Sequence, residues 1–145
     1  MKTRSKTIKL FLRFALSIGF LSAVADRFGF WKTELSAWGS WTNFLEYTQL
    51  INSWIPDALI ALIGSIATIA EIAFAICLIL GFKTELVAKL SGILLLIFAV
   101  SMTLSTGVKG ALDYSVFTAS AAAFALSLFK EKHLELDTFF IKKED

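Results

Sequence analysis

The sequence predicts an all-α membrane protein: a single domain over residues 1–145, built as a four-transmembrane-helix bundle with an amphipathic interfacial helix between spans one and two. Three observations lead there. Hydrophobic residues make up 57% of the chain and charged residues 18%, too few polar groups to cover a soluble domain of this length. The apolar residues fall in long blocks, close to the roughly 20 residues that a bilayer-spanning helix needs. One proline and eight glycines leave little room for extensive loops or disorder.

The first span covers about 8–25 and is interrupted by Arg13. Its basic start and its Ala23-Val24-Ala25 end have the look of a cleavable signal peptide, but an arginine inside the apolar run argues for a retained helix. The loop that follows is long and aromatic, and it holds all four tryptophans: Trp31, Trp38, Trp41 and Trp54. From Trp41 to Ile55, the residues Trp41, Phe44, Leu45, Leu50, Ile51, Trp54 and Ile55 form a broad apolar side. Thr42, Glu46, Gln49 and Ser53 line the other side at helical spacing. This pattern predicts a helix lying on the outer membrane surface, ended by Pro56, which opens the second span.

The second span covers about 57–80 and contains Glu71; the third covers about 86–105, with Lys89 near its start. The fourth covers about 110–129, with Asp113 near its start. Ser115, Ala119, Ala123 and Ser127 recur at one helical repeat and predict a packing seam of small residues. A charged tail, 130–145, follows. Basic residues orient the bundle. Lys2, Arg4, Lys6 and Lys9 precede span one, Lys83 and Lys89 flank the short turn after span two, and Lys130, Lys132, Lys142 and Lys143 follow span four. The other connections carry only Arg27, Lys32 and Lys109, so both termini are expected in the cytoplasm.

Several function classes drop out. Cys77 is the only cysteine and His133 the only histidine, which removes disulfides, C-x-x-C exchange, histidine–cysteine metal sites and intramembrane haem ligation. No Ser/His/Asp set and no glycine-rich phosphate loop occurs. A net charge of +2, with basic residues at segment ends, gives no nucleic-acid surface.

The informative residue is Glu71. It lies about nine residues from the cytoplasmic end of its span, hence ~13 Å deep. A bare carboxylate there costs at least ~2.5 kcal/mol. Gly64, Thr68, Glu71 and Ala75 share one stripe of mostly small residues, so Glu71 is expected to face the protein. Arg13, roughly 7–8 Å deep on the antiparallel first span, is the expected partner. Ser17 lies one turn further along. The candidate intramembrane site is therefore Arg13, Ser17, Thr68 and Glu71, against the plainer alternative of a structural clasp between helices. Asp26, Asp113 and Tyr114 form a candidate cluster at the outer helix mouths, where such residues ordinarily just meet water.

Three segments carry a family resemblance: LRFALSIGFLSAVADRFGF; EIAFAICLILGF with its Lys83-Thr84 continuation; and KGALDYSVFTASAAAFAL. Together they resemble the DoxX family of small four-helix membrane proteins, over nearly the whole chain. The arginine segment, the glutamate followed by the Gly81-Phe82-Lys83-Thr84 turn, and Leu112-Asp113-Tyr114-Ser115-Val116-Phe117 are the parts that match. The resemblance implies a bundle in the bacterial cytoplasmic membrane and redox work, since members resemble the small membrane subunit of a thiosulfate–quinone oxidoreductase. Without a cysteine pair or haem ligands, this chain would need a bound quinone or a partner redox subunit. The leading expectation is a quinone-binding or anchoring membrane subunit rather than a complete enzyme, with Glu71 as proton acceptor or hydrogen-bond partner. A lipid or small-solute carrier and a membrane scaffold or assembly protein are the alternatives. The expected partners are the lipid bilayer, a redox subunit and a second copy of the chain, with no metal.

Overall fold

The computed structural model describes residues 2–138, with side chains from Arg4 onward. The end of the predicted tail, 139–145 with Lys142 and Lys143, lies outside the described residues. The helices are α1 (Lys2–Arg27), α2 (Trp41–Ile51), α3 (Asp57–Leu80), α4 (Thr84–Thr106), α5 (Val108–Asp113) and α6 (Val116–Ser127). The described residues contain no strand. Three helices are long and apolar enough to cross a membrane: Arg4–Arg27, Asp57–Leu80 and Thr84–Thr106. Large apolar side chains such as Phe11, Ile18, Leu62, Ile66, Ile69 and Ile97 point outward. That surface suits hydrocarbon and is a liability in water.

The fourth predicted span is not one helix. Its apolar run divides into α5 and α6 at Tyr114–Ser115, where Ser115 adopts a left-handed φ of 55°. The Tyr114 and Ser115 N–H groups still bond back to Gly110 and Leu112, but the chain then turns and α6 restarts with Ala119 N–H on the Ser115 carbonyl. With 12 residues, α6 is ~18 Å long, well short of the ~30 Å hydrocarbon core. The expected small-residue seam is also rotated. The side chains of α6 that are buried are Ser120, Ala123 and Leu126, while Ser115 is exposed at the break. Ser120 Oγ donates to the Gly92 carbonyl at 2.8 Å, and Gly92 lies so close to Phe124 that a Cβ there would meet the ring at 2.9 Å.

Helices α1 and α3 are antiparallel. Arg13 meets Leu78 and Ile79, Phe20 meets Phe74 with ring centroids 6.5 Å apart, and Arg27 reaches Thr68 and Glu71. The predicted inward stripe Gly64, Thr68, Glu71 and Ala75 is buried throughout. Beyond Arg27, α2 takes over the cover of α3. The helix is amphipathic as expected, with Phe44, Thr48 and Ile51 buried on the side that packs against the bundle. A Cβ on Gly64 would sit 2.8 Å from Leu45 Cδ2 and 3.2 Å from the Phe44 ring, so the glycine permits this approach. The helix ends at Ile51 rather than Ile55, and Pro56 sits at the N-cap of α3 rather than inside it. Thr48 tolerates burial because its hydroxyl donates to the Phe44 carbonyl at 2.8 Å. Ser101 and Ser105 of α4 hold the far end of α2 through Asn52 Oδ1 and the Ile51 carbonyl, at 3.1 and 2.8 Å.

At the opposite end lie the start of α1, the α3–α4 turn and residues 129–138. Gly81 ends α3 at a φ of 69°, and Phe82 N–H bonds the Cys77 carbonyl. The tail lies directly on this turn, with Leu136 N–H on the Leu80 carbonyl at 3.1 Å. The neighbouring core contains Leu16, Leu78, Val87, Ala88, Ala123 and Leu126.

Candidate functional site

The predicted Arg13–Glu71 pair does not form. The cation beside Glu71 is Arg27, the last residue of α1. Arg27 Nη2 donates to Glu71 Oε1 at 2.9 Å, and Nη1 pairs with Glu71 Oε2 and with Thr68 Oγ1 at 2.7 Å. Thr68 passes its own proton to the Gly64 carbonyl at 2.8 Å. All three side chains are buried. Both carboxylate oxygens face one guanidinium, the fork geometry that arginine is built for. The guanidinium also lies over the rings of Phe44 and Trp38, with Cζ 4.1 and 5.5 Å from their centroids. Arg27 Nε is buried and has no hydrogen-bond partner among the described residues.

The loop after α1 closes this chamber, and Asp26 shapes the loop. Its Oδ1 accepts from Ser36 Oγ, and its Oδ2 accepts from the Ala37 and Trp38 N–H groups at 2.9 and 3.0 Å. Asp26 thus holds Trp38 above Arg27. The expected outer cluster is not assembled: Asp113 pairs with Lys109 on the surface, and Tyr114 is exposed beside Tyr47. Burial, and then the nearby Tyr114, push the Tyr47 phenol above its ordinary value.

No protein-family model, no curated protein and no solved structure matches the chain.

Arg13 serves a different end of the molecule. Its Nε donates to the Leu78 carbonyl at 2.8 Å and its Nη2 to the Ile79 carbonyl at 2.9 Å. Its Nη1 donates to the His133 and Leu134 carbonyls at 3.1 and 3.0 Å. The guanidinium therefore satisfies carbonyls that the end of α3 leaves free and binds the tail to them. Lys9, also fully buried, pairs with Glu135 at 2.6 Å and donates to the Phe129 and Glu131 carbonyls at 3.1 and 2.7 Å. Ser17 Oγ donates to the Arg13 carbonyl on its own helix at 2.7 Å. The four predicted site residues thus divide: Thr68 and Glu71 belong to the Arg27 chamber, Arg13 and Ser17 to the tail clasp.

Sequence reasoning passed over Arg27, Lys9 and Glu135. A signal existed for the cations: Lys9, Arg13, Phe20, Val24 and Arg27 fall on the buried side of α1. No group of three or more His, Cys, Asp or Glu able to hold a metal occurs among the described residues. The feature of this cluster that bears on a ligand is one buried N–H donor, Arg27 Nε, beside the Trp38 and Phe44 rings.

Proposed function

We propose that this chain is a DoxX-like quinone-binding membrane subunit of an oxidoreductase, with the Arg27 chamber as its binding point. The observation that carries the reading is Arg27 Nε, a buried donor without a partner beside Trp38 and Phe44. Buried polar groups are nearly always satisfied, so an orphaned arginine N–H marks a place where a ligand acceptor fits. A bound quinone would supply the two-electron, two-proton redox chemistry. The protein's part is narrower. Arg27 donates to a carbonyl oxygen, Glu71 and Thr68 fix the guanidinium, and the aromatic rings shut out water. Glu71 becomes a positioning residue rather than the proton acceptor or direct hydrogen-bond partner of a quinone expected from the sequence, because both of its oxygens face Arg27.

The same reading places the chain in a bacterial cytoplasmic membrane, with the α5–α6 segment completing a four-helix bundle and both termini inside. Lys9, Lys83, Lys130 and Lys132 all lie at the end formed by the α3–α4 turn and the tail, which supports that orientation. A partner redox subunit would supply or remove the electrons. The completeness of the Arg27–Glu71 pair favours a second reading, a scaffold in which the pair only fixes helix register.

The test is mass spectrometry and absorbance of small molecules extracted from gently purified protein, native beside Arg27→Gln. A stoichiometric quinone that is lost in Arg27→Gln supports the site. Absence of quinone from the folded native protein sinks the reading and favours the scaffold.

A further inference from the structure

We infer that Glu135 and Arg13 are positioning residues for the Arg27–Glu71 chamber, acting from the far end of the molecule through α1; this rests on that chamber being the functional site. Helix α1 is unbroken from Lys2 to Arg27 and contains no proline. It carries buried cations at both levels. Arg13 and Arg27 are 14 residues apart, about 21 Å along the axis and within ~40° of the same face. Each is fixed to α3, Arg13 through the Leu78 and Ile79 carbonyls and Arg27 through Thr68 and Glu71. The axial position of α1 against α3 is therefore set twice.

The lower attachment depends on the tail. Glu135 is buried, paired with Lys9 at 2.6 Å and 4.0 Å from Arg13 Nη1, and Lys132 approaches it to 3.8 Å. The tail is tied in turn to the α3–α4 turn, by Leu136 and Asp137 N–H on the Leu80 and Gly81 carbonyls and by Lys83 N–H on Asp137 Oδ1. A Cβ on Gly81 would meet Glu135 Cα at 2.6 Å and Arg13 Nη2 at 2.7 Å, so the tail and the arginine are seated without slack. Losing the Glu135 carboxylate leaves Lys9 and Arg13 buried beside each other with excess positive charge. Such a site relaxes by letting the cations move toward water, and α1 carries that displacement to Arg27. In this way a cytoplasmic-end segment of ten residues, 129–138, governs the geometry of a chamber on the other half of the bundle.

The test needs no ligand, so an empty chamber would not confound it. Trp38 lies over Arg27 and reports on the chamber once Trp31, Trp41 and Trp54 are replaced by Phe. In bilayers, Trp38 emission and acrylamide quenching are compared for Glu135, Glu135→Ala and Glu135→Gln, with Glu85→Gln as a control. Glu85 pairs with exposed Lys130 at the same end, makes no ion pair or hydrogen bond with Lys9 or Arg13, and feels Lys9 only through longer-range charge. The expected result is a red shift and a severalfold rise in quenching for both Glu135 variants, unchanged helix content by circular dichroism, and no change for Glu85→Gln. Should Glu135→Ala lose helix content, Glu135→Gln and Glu135→Asp decide. A folded Glu135 variant with an unmoved Trp38 overturns the coupling, as does an equal response to Glu85→Gln. A coupled Trp38 in protein that never carries quinone would keep this inference and remove only the ligand.

Discussion

Replacing Glu71 with Gln leaves a guanidinium buried under Phe44 and Trp38 without its counter-ion. Removing one member of a buried pair costs about 3–5 kcal/mol, because the remaining charge loses its compensation. Arg27→Gln should cost a similar amount, since it strands the carboxylate at 2% exposure instead. The double variant Arg27→Gln/Glu71→Gln holds two neutral amides that can bond each other and Thr68. Contacting charged residues couple by up to ~3 kcal/mol, so the double should cost about 2 kcal/mol less than the sum of the singles. Arg13→Gln/Glu71→Gln should behave differently. Arg13 has its partners at Leu78, Ile79, His133 and Leu134, and none of them touches Glu71. With no shared contact, these two losses should couple far less than the Arg27/Glu71 pair does, by no more than the displacement that α1 transmits. Reversible unfolding in mixed micelles, by titration with a denaturing detergent, measures the three single and two double variants. Additivity for Arg27/Glu71 together with strong coupling for Arg13/Glu71 would refute the arrangement and restore the pairing expected from the sequence.

Three further outcomes follow from the geometry. Gly81→Ala should destabilise the protein by about 2 kcal/mol or more, since a left-handed φ alone costs ~1–2 kcal/mol and its methyl would strike Glu135; faster proteolysis of the tail would accompany it. Burial alone would raise the Asp137 carboxyl, but the Lys83 N–H, Lys132 and the Thr84 N–H outweigh it and hold it below the ordinary value of 3.8. The stabilisation is thus present above pH 3.8 and lost as pH falls through the lower folded value, so the melting-temperature gap between native protein and Asp137→Asn should close on acidification. Gly19→Ala should raise stability by about 0.5–1 kcal/mol in thermal melts, because its Cβ meets nothing within 4 Å in the middle of α1.

The fourth predicted span shows where local pattern fails. Its apolar run fits one helix, and neither glycine nor proline stands at Tyr114–Ser115, so nothing in the pattern marks the break. The bounds of α3 were legible, 57–80, because Pro56 and Gly81 punctuate them and apolarity fills the space between. The start of α2 at Trp41 was legible from its periodicity, and Ser40 caps it by accepting from Asn43 N–H at 3.2 Å. Its depth was not. An amphipathic face looks alike whether it meets lipid head groups or the side of another helix, and Gly64 decides in favour of the helix.

The sequence by itself determined that the chain is helical, that its apolar blocks suit a bilayer, though it read four spans where three helices are long enough, and that Glu71 faces inward. These follow from hydropathy and helical period, which act over a few turns of one segment. Only the tertiary structure decided which cation meets Glu71. Arg27 stands at the end of an apolar block, where a charge ordinarily reaches water, and it is buried only because α2 and the Asp26 loop fold over it. Arg13 stood inside an apolar block and invited a carboxylate partner. It found backbone carbonyls of α3 and of a tail 120 residues away, and main-chain acceptors leave no mark in side-chain sequence.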